Sequence, residues 1–408
     1  MRREDTPRMR TIASRMLLAG ALLLGGTLAT AAPARADTVL PVTGAVFNDP
    51  LGTPDEQNAV KNHIIGAIDA TEPGRTLRTA MYALTDADYA DALRNAHVRG
   101  VQVRVVLDHF ESDSPAATSL IAALGRDMTQ PSWVHVCPAG RACIADTDAS
   151  RDSANPPVNP INHNKFFTFS RVGAAGQAED VVIQTSANQT PANTSRFWNN
   201  AYTSVGNTEL YTAYVNYFND LAAERRDTDY FRQGTTSGAE KYYFFPQATG
   251  DLVVDILDNV TCTGNTTVGS ASHKTVIRIS AWALHRSAVA RKLRDLADSD
   301  CWVEVVYRET SQLSVLGGHP RIRPYRLLLD NGTTTTGDDR FVHSKYLLVE
   351  GNYAGRPDTK WTFTGSHNLD FSSLRENDEA MLRIAGDAVH DAYRANFLDM
   401  RGHATLTS

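Results

Sequence analysis

Two short patterns in this chain carry the residue types for phosphoryl chemistry. The first is His163-Asn164-Lys165, followed by Ser186-Ala187-Asn188. The second is His343-Ser344-Lys345, followed by Ser366-His367-Asn368. Each position of one lies 180 residues from its counterpart. With 12 His and 7 Lys in 408 residues, chance supplies about 0.2 His-x-Lys pairs. Two pairs with the same followers therefore form a repeat. Lysines neutralise the non-bridging oxygens of a phosphodiester. Asn amides and Ser hydroxyls add hydrogen bonds without charge. One imidazole can attack phosphorus. The other can protonate the leaving oxygen and then deprotonate an incoming water or alcohol. A histidine pKa near ~6.5 suits both tasks. The expected phosphate ligands are Lys165, Lys345, Ser186, Ser366, Asn188 and Asn368, and the lysine pair makes a metal or cofactor unnecessary.

The elements that must hold these residues repeat as well. Lys165–Ser170 (KFFTFS) and Lys345–Val349 (KYLLV) read as strands. Residues two apart on a strand share a face, so each His can project with its Lys. Val181–Thr185 and Thr362–Thr364 read as the next strands, with Ser-x-Asn at their ends. Upstream, residues 79–108 and 279–308 align at a shift of 200, each as strand, helix, strand. That order predicts a parallel pair with a crossover helix. Tyr82 and Trp282 match in this repeat and read as core. Thr53-Pro54-Asp55-Glu56 is a capping box opening a helix whose buried face is Val60, Ile64 and Ile68. Leu252, Val253, Ile256 and Leu257 play that part in the second half. First strands are expected at Ala45–Phe47 and Tyr242–Phe245. The polar, Gly-containing stretch 232–240 reads as the join. The fold class is therefore α/β, built from two similar units, 37–235 and 236–408, each a mixed sheet flanked by helices.

Residues 1–36 read as a secretory signal: a run of Arg, an apolar stretch from Met16 to Ala31, and cleavage near Ala36. A membrane anchor is the competing reading, and the apolar stretch is short for one. The net charge of −6 becomes more acidic without this segment, leaving 34 basic and 44 acidic residues. That balance lacks the overall positive field of a nucleic-acid binder. Four cysteines in an exported chain suit two disulfides, Cys137 with Cys143 and Cys262 with Cys301. A zinc site competes, but the chain has no Cys-x-x-Cys.

The doubled His-x-Lys with downstream Ser-x-Asn resembles the phospholipase D superfamily. The resemblance covers most of the chain after residue 36. It implies two α/β sandwich halves related by a pseudo-twofold, with the active site at their interface. It also implies metal-independent catalysis through a covalent phosphohistidine. It assigns His163 as nucleophile and His343 as general acid and base, and it picks out Glu379 as the carboxylate that orients a histidine. The matching region of the first half, Trp198-Asn199-Asn200, has no carboxylate. Two departures stand out. The family's Asp after His-x-Lys is Ser170 in one half and Glu350 in the other, and Thr185 replaces the first Gly of Gly-Ser-x-Asn.

The reading that follows is a secreted phospholipase D, a monomer working on phospholipid at a membrane or micelle surface. It would give phosphatidic acid with water, or pass the phosphatidyl group to an alcohol. Two alternatives remain from this sequence: a secreted nuclease of the same chemistry, and a non-catalytic phosphate- or lipid-binding protein. Loops at 138–162 and 309–340 are expected to roof the site, with Arg321, Arg323 and Arg326 making the second basic. His109, His285, His319 and His367 read as loop or packing residues, and Trp198 as core or substrate contact.

Overall fold

The computed structural model describes residues 40–146, 160–330, 332 and 339–407. The expected signal segment, 1–36, residues 147–159 of the first expected roof, and residues 331 and 333–338 of the second lie outside them. Residues 79–108 form the predicted strand–helix–strand. Thr76–Met81 and Gln102–Leu107 pair in parallel, joined by the helix Ala87–Val98. Asp86 caps that helix, its carboxylate accepting from the Asp88 amide. The Thr53 capping box is formed, but Asn58 interrupts the helix, giving Pro54–Gln57 and Ala59–Asp69.

The first sheet has seven strands. Their spatial order is Gly44–Phe47, Asn200–Ser204, Ala178–Thr185, Lys165–Val172, Thr76–Met81, Gln102–Leu107 and Trp133–Val136. The second sheet repeats this order with Glu240–Phe245, Glu379–Ala385, Arg356–Gly365, Tyr346–Tyr353, Val276–Leu284, Trp302–Thr310 and Ile322–Arg326. The ends of the second sheet are extended by Arg232–Thr235 and Thr405–Leu406. Each sheet is mixed, because its hairpin strands run antiparallel and its crossover strands parallel.

Each sheet has two covered faces. One face of the first buries Leu77, Val103, Val105, Phe167 and Ile183 under the outer helices. The other face, with Ala80, Val106, Phe166 and Val182, receives the helix Thr208–Ala222. That helix buries Leu210, Tyr214, Tyr217, Phe218 and Leu221 along one side. The same cluster includes Phe244, Ala380 and Leu382 of the second sheet. Asp387–His403 mirrors it 180 residues later, packing Tyr393, Phe397 and Met400 on Val306, Tyr346 and Leu348. Phe47 of the first sheet meets Tyr393 edge-on at 4.9 Å. Two helices thus bind the halves reciprocally. A three-stranded sheet adds a direct link, because Phe197–Trp198 pairs in parallel with Phe341–Val342.

Two expectations are corrected here. The stretch 309–340 is not one long loop. It holds the helix Leu313–Leu316 and the strand Ile322–Arg326, which pairs in parallel with Trp302–Thr310. Pro324, which lacks an N–H, disguises that strand in the sequence. Arg321 turns to Asp300, and Arg323 donates to the carbonyls of His319 and Ile322, so neither roofs a site. The expected join at 232–240 also contains a strand, Arg232–Thr235, which forms a hairpin with Glu240–Phe245. Both proposed disulfides are present.

Candidate active site

Both His-x-Lys pairs sit where a strand begins, at the same end of their sheets. Lys165 opens its strand and is fully buried, and its Nζ donates to the His163 carbonyl at 2.7 Å. Lys345 immediately precedes its strand and donates likewise to the His343 carbonyl at 2.6 Å. Each lysine is thereby aimed back beneath its own histidine.

Reciprocal backbone contacts bring the two halves together at this point. The His163 amide donates to the Asp378 carbonyl at 2.9 Å. The His343 and Ser344 amides donate to the Trp198 carbonyl at 2.9 and 2.7 Å. Each histidine ring then takes a partner from the opposite half. His163 Nδ1 lies 2.8 Å from Glu379 Oε1, and His343 Nδ1 lies 2.9 Å from Asn199 Oδ1. The Asn199 amide group donates to the Asn193 and Phe197 carbonyls, while its oxygen accepts from Ser186 Oγ. That oxygen can only accept, so His343 carries its proton on Nδ1. Glu379 is fully buried and ionised, so it fixes the same tautomer on His163. In both rings Nε2 is left for chemistry.

The charges at this centre act on one another. Burial lowers the His163 pKa against the opposing pull of Glu379. Burial, Lys345, Lys165 and His163 together hold His343 well below the usual histidine value. Burial brings Lys165 down to about 7 despite Glu379 and Asp108. Burial and the Lys165 charge push Lys345 well below its ordinary value. Burial alone would raise Glu379, but the His163 contact outweighs it and brings the carboxyl to about 2. The site is thus a concentration of desolvated cationic groups around one carboxylate. An anion entering it would raise the pKa of each base there.

The other expected residues divide. Asn188 and Asn368 lie just past the strand ends, with backbone amides held by Asn193 Oδ1 and Ser373 Oγ. Their side-chain oxygens have no hydrogen-bond partner. Ser186 and Ser366, expected as phosphate ligands, commit their hydroxyls to the fold. Ser186 donates to Asn199, and Ser366 to the Ala380 carbonyl at 3.3 Å. His367 is buried against Phe245, and burial drives its pKa to about 3, so it stays neutral. Trp198 is wholly buried core.

The departures from the family pattern lie in the scaffold. Ser170 accepts the Thr76 amide at 3.0 Å, and Glu350 accepts from Arg278 at 2.8 Å, both five residues along the strand from the lysine. Thr185 donates its hydroxyl to the Asn200 carbonyl at 2.7 Å. At the matching Gly365 a Cβ would stand 2.1 Å from the Ala380 carbonyl oxygen. The two halves therefore differ in strand spacing at this place.

Sequence reasoning missed four supports. Asn199 stands at the 180-residue shift from Glu379, where the sequence shows only the lack of a carboxylate and not the amide oxygen that orients His343. Tyr82, read as core, sets its ring 5.3 Å from the His163 ring and stacks on Phe110 at 5.0 Å. Asp108 accepts the Asn162 and Phe110 amides at 2.7 and 2.8 Å, bracing the segment before His163. Asp378 accepts the Ile144 and Ala145 amides at 3.0 and 2.8 Å, docking the Cys137–Cys143 loop beside Glu379. Among the described residues no cluster of three His, Cys, Asp or Glu is placed to hold a metal.

A repeated sheet order and paired His-Lys centres at the seam define a two-lobed phosphodiester-acting enzyme. The family model described as "Cardiolipin synthase, PLD-like domain" matches residues 64–222 and 266–401. The chain belongs to this phospholipase D-like family. A search of curated proteins found no match. Among solved structures, the phosphatidylserine synthase of Haemophilus influenzae Rd KW20 is similar in fold, with a TM-score of 0.58 and 13% identity. That likeness covers 89% of this chain and 87% of that one. Polyphosphate kinase from Porphyromonas gingivalis matches with a TM-score of 0.52 and 11% identity over 87% of this chain. This chain spans about half of that kinase, 49% of its length. Nuc from Salmonella typhimurium, a phospholipase D family member, is 19% identical over 45% of this chain and 95% of its own, with a TM-score of 0.30.

Proposed function

We propose that this protein is a secreted phospholipase D working through a phosphohistidine on His163. The observation that carries the reading is the pair of imidazoles with fixed tautomers, His163 on Glu379 and His343 on Asn199, above two buried lysines. The substrate phosphate sits between Lys165 and Lys345, with Asn188 and Asn368 beside it. His163 Nε2 attacks phosphorus, and the bond from phosphorus to the head-group oxygen breaks. That oxygen takes the proton from His343 Nε2. Water or an alcohol then gives its proton back to His343 and attacks phosphorus, and the phosphorus–nitrogen bond breaks. The diester's negative charge raises the lowered pKa values of His343 and both lysines, so their protonated forms are favoured when substrate is present.

Lipid is favoured over nucleic acid by three things. The family description names a phospholipid synthase. The chain after residue 36 carries an acidic excess. Phe110, which stacks on Tyr82 beside His163, stays 47% exposed and offers an apolar rim for acyl chains. Secretion rests on the signal-like first 36 residues.

The test uses chain starting at Asp37 with phospholipid vesicles, ethanol and EDTA, beside His163→Ala. The expected product is phosphatidylethanol, from the wild type alone. Cleavage of DNA with no lipid product would replace this reading with the nuclease. Turnover surviving in both His163→Ala and His343→Ala would end the mechanism.

A further inference from the structure

The two sides of the catalytic pair are not alike. Position 108 in the first half corresponds to position 308 in the second. Asp108 is buried and spent on backbone amides that brace His163. Arg308 is half-buried, and its guanidinium lies over two rings, 5.3 Å from Trp282 and 4.6 Å from Phe341. The register places Trp282 and Arg308 as cross-strand neighbours, between Ala281↔Tyr307 and Ala283↔Glu309. Val306, two residues back, faces the inter-lobe helix, so Arg308 shares that inner face. Ser280, two before Trp282, reaches the Ser344 carbonyl within the His-x-Lys motif. Phe341 stacks on Phe197 at 3.9 Å, and Phe197 stands 5.9 Å from the His343 ring. An unbroken aromatic wall therefore runs from His343 to a cation.

That cation is only lightly engaged. Nη1 meets Glu309, whose side chain is 41% exposed, and Nε is buried with no hydrogen-bond partner. A surface ion pair of this kind contributes little. The flanking rings hold the guanidinium plane without using its donors. Its Nη2, together with Nη1 once released from Glu309, can donate two parallel hydrogen bonds to a phosphate.

We propose that Arg308, with Trp282 and Phe341, forms a subsite for a second phosphate on the leaving side of the substrate. The inference rests on the proposed function, because His343 protonates the leaving oxygen and so fixes which side is which. It narrows the substrate class. A head group bearing a phosphate is favoured, a neutral diol is accepted, and a cationic choline is disfavoured beside the arginine.

The experiment measures kcat and KM on mixed micelles of phosphatidylcholine, phosphatidylglycerol and cardiolipin. These put a cation, a diol and a second phosphodiester on the leaving side. Wild type, Arg308→Gln and Arg308→Lys are compared. The wild type is expected to favour cardiolipin over phosphatidylcholine by at least about tenfold in kcat/KM. Arg308→Gln should remove that preference by raising KM for cardiolipin and lowering it for phosphatidylcholine, and Arg308→Lys should restore part of it. An equal fall on all three lipids would make Arg308 a structural residue and overturn the proposal. An unchanged preference would overturn it too. If the wild type cleaves none of the lipids, the proposed function fails first. The same variants are then read on dinucleotides with and without a terminal phosphate on the leaving side. A loss confined to the phosphorylated one supports the subsite. An equal loss, no loss, or no turnover at all overturns it.

Discussion

Asn199 holds His343 in the place where Glu379 holds His163. The oxygens lie 2.9 and 2.8 Å from the respective Nδ1 atoms, and the two residues are 180 positions apart. The pseudo-twofold is thus kept in geometry and broken in charge. A carboxylate stabilises the imidazolium of its histidine, whereas an amide oxygen only orients the ring. His163 becomes cationic when its Nε2 bonds to phosphorus, so the carboxylate sits where lasting positive charge develops. His343 holds its extra proton only in passing.

Asn199→Asp should therefore change the pH profile more than the fold. An added carboxylate at hydrogen-bond distance raises a buried histidine's pKa by about 1–3 units. The protonated form of His343 is the general acid. The alkaline limb of kcat, read at saturating substrate, should move up by at least about one unit. An unmoved limb would show that His343 is not the acid.

Glu379→Gln keeps an oxygen for His163 Nδ1 but removes the charge. Attack by His163 then builds a cation with nothing to offset it. The expected loss in kcat is about 10²–10⁴, with KM little changed. Thermal unfolding checks that the core survives, since Glu379 is fully buried. A variant with full kcat would remove Glu379 from the mechanism.

The reason the site was readable and its surroundings were not is physical. His163, Lys165, His343 and Lys345 announce themselves by type and spacing. The strands that carry them are rich in Phe, Tyr, Leu and Val, and the Thr53-Pro54-Asp55-Glu56 box names its own helix start. Asn199 gives no such signal, because an amide in an ordinary context is indistinguishable from a loop residue. The strands Phe197–Trp198 and Arg340–Val342 are too short for any periodicity, yet they join the halves beside His343. Tyr82 occupies a strand position that reads as core. Its exposure to the site depends on where the strand ends relative to Lys165, which only the Met81↔Lys165 register reveals.

The lysines give the second pH prediction. Lys165 must be cationic to bind the diester, and its folded pKa is brought down to about 7 by burial. The competent form is present below that pH and is lost above it. The measured kcat/KM, which reports the free enzyme, should already decline below neutrality as His343 loses its proton and fall further as pH rises through about 7 with Lys165. Bound diester restores the proton, so kcat should hold to a pH at least one unit higher (about tenfold in proton concentration). Full kcat/KM persisting above about pH 9 would show Lys165 charged throughout, against the direction of its burial.

The disulfides separate stability from catalysis. Cys262–Cys301 closes a loop of separation 39, and Cys137–Cys143 one of separation 6. Loop-closure entropy assigns about 4 kcal/mol to the first and about 2 kcal/mol to the second. Proximity assigns the reverse order to activity. The smaller loop carries the Ile144 and Ala145 amides that hold Asp378, the residue before Glu379. Asp378 also supplies the carbonyl that anchors the His163 amide. Cys262 and Cys301 pack instead in the core of the second sheet, among Leu296, Val260 and Val303. Replacing Cys262 and Cys301 together by Ala should cost more in denaturant midpoint and leave kcat near wild type below that midpoint. Replacing Cys137 and Cys143 by Ala should cost less stability but lower kcat by at least about tenfold, through a loosened Glu379. The two readouts must move in opposite order. If activity instead tracked stability in both variants, the Cys137–Cys143 loop would be a staple and no part of the support for His163.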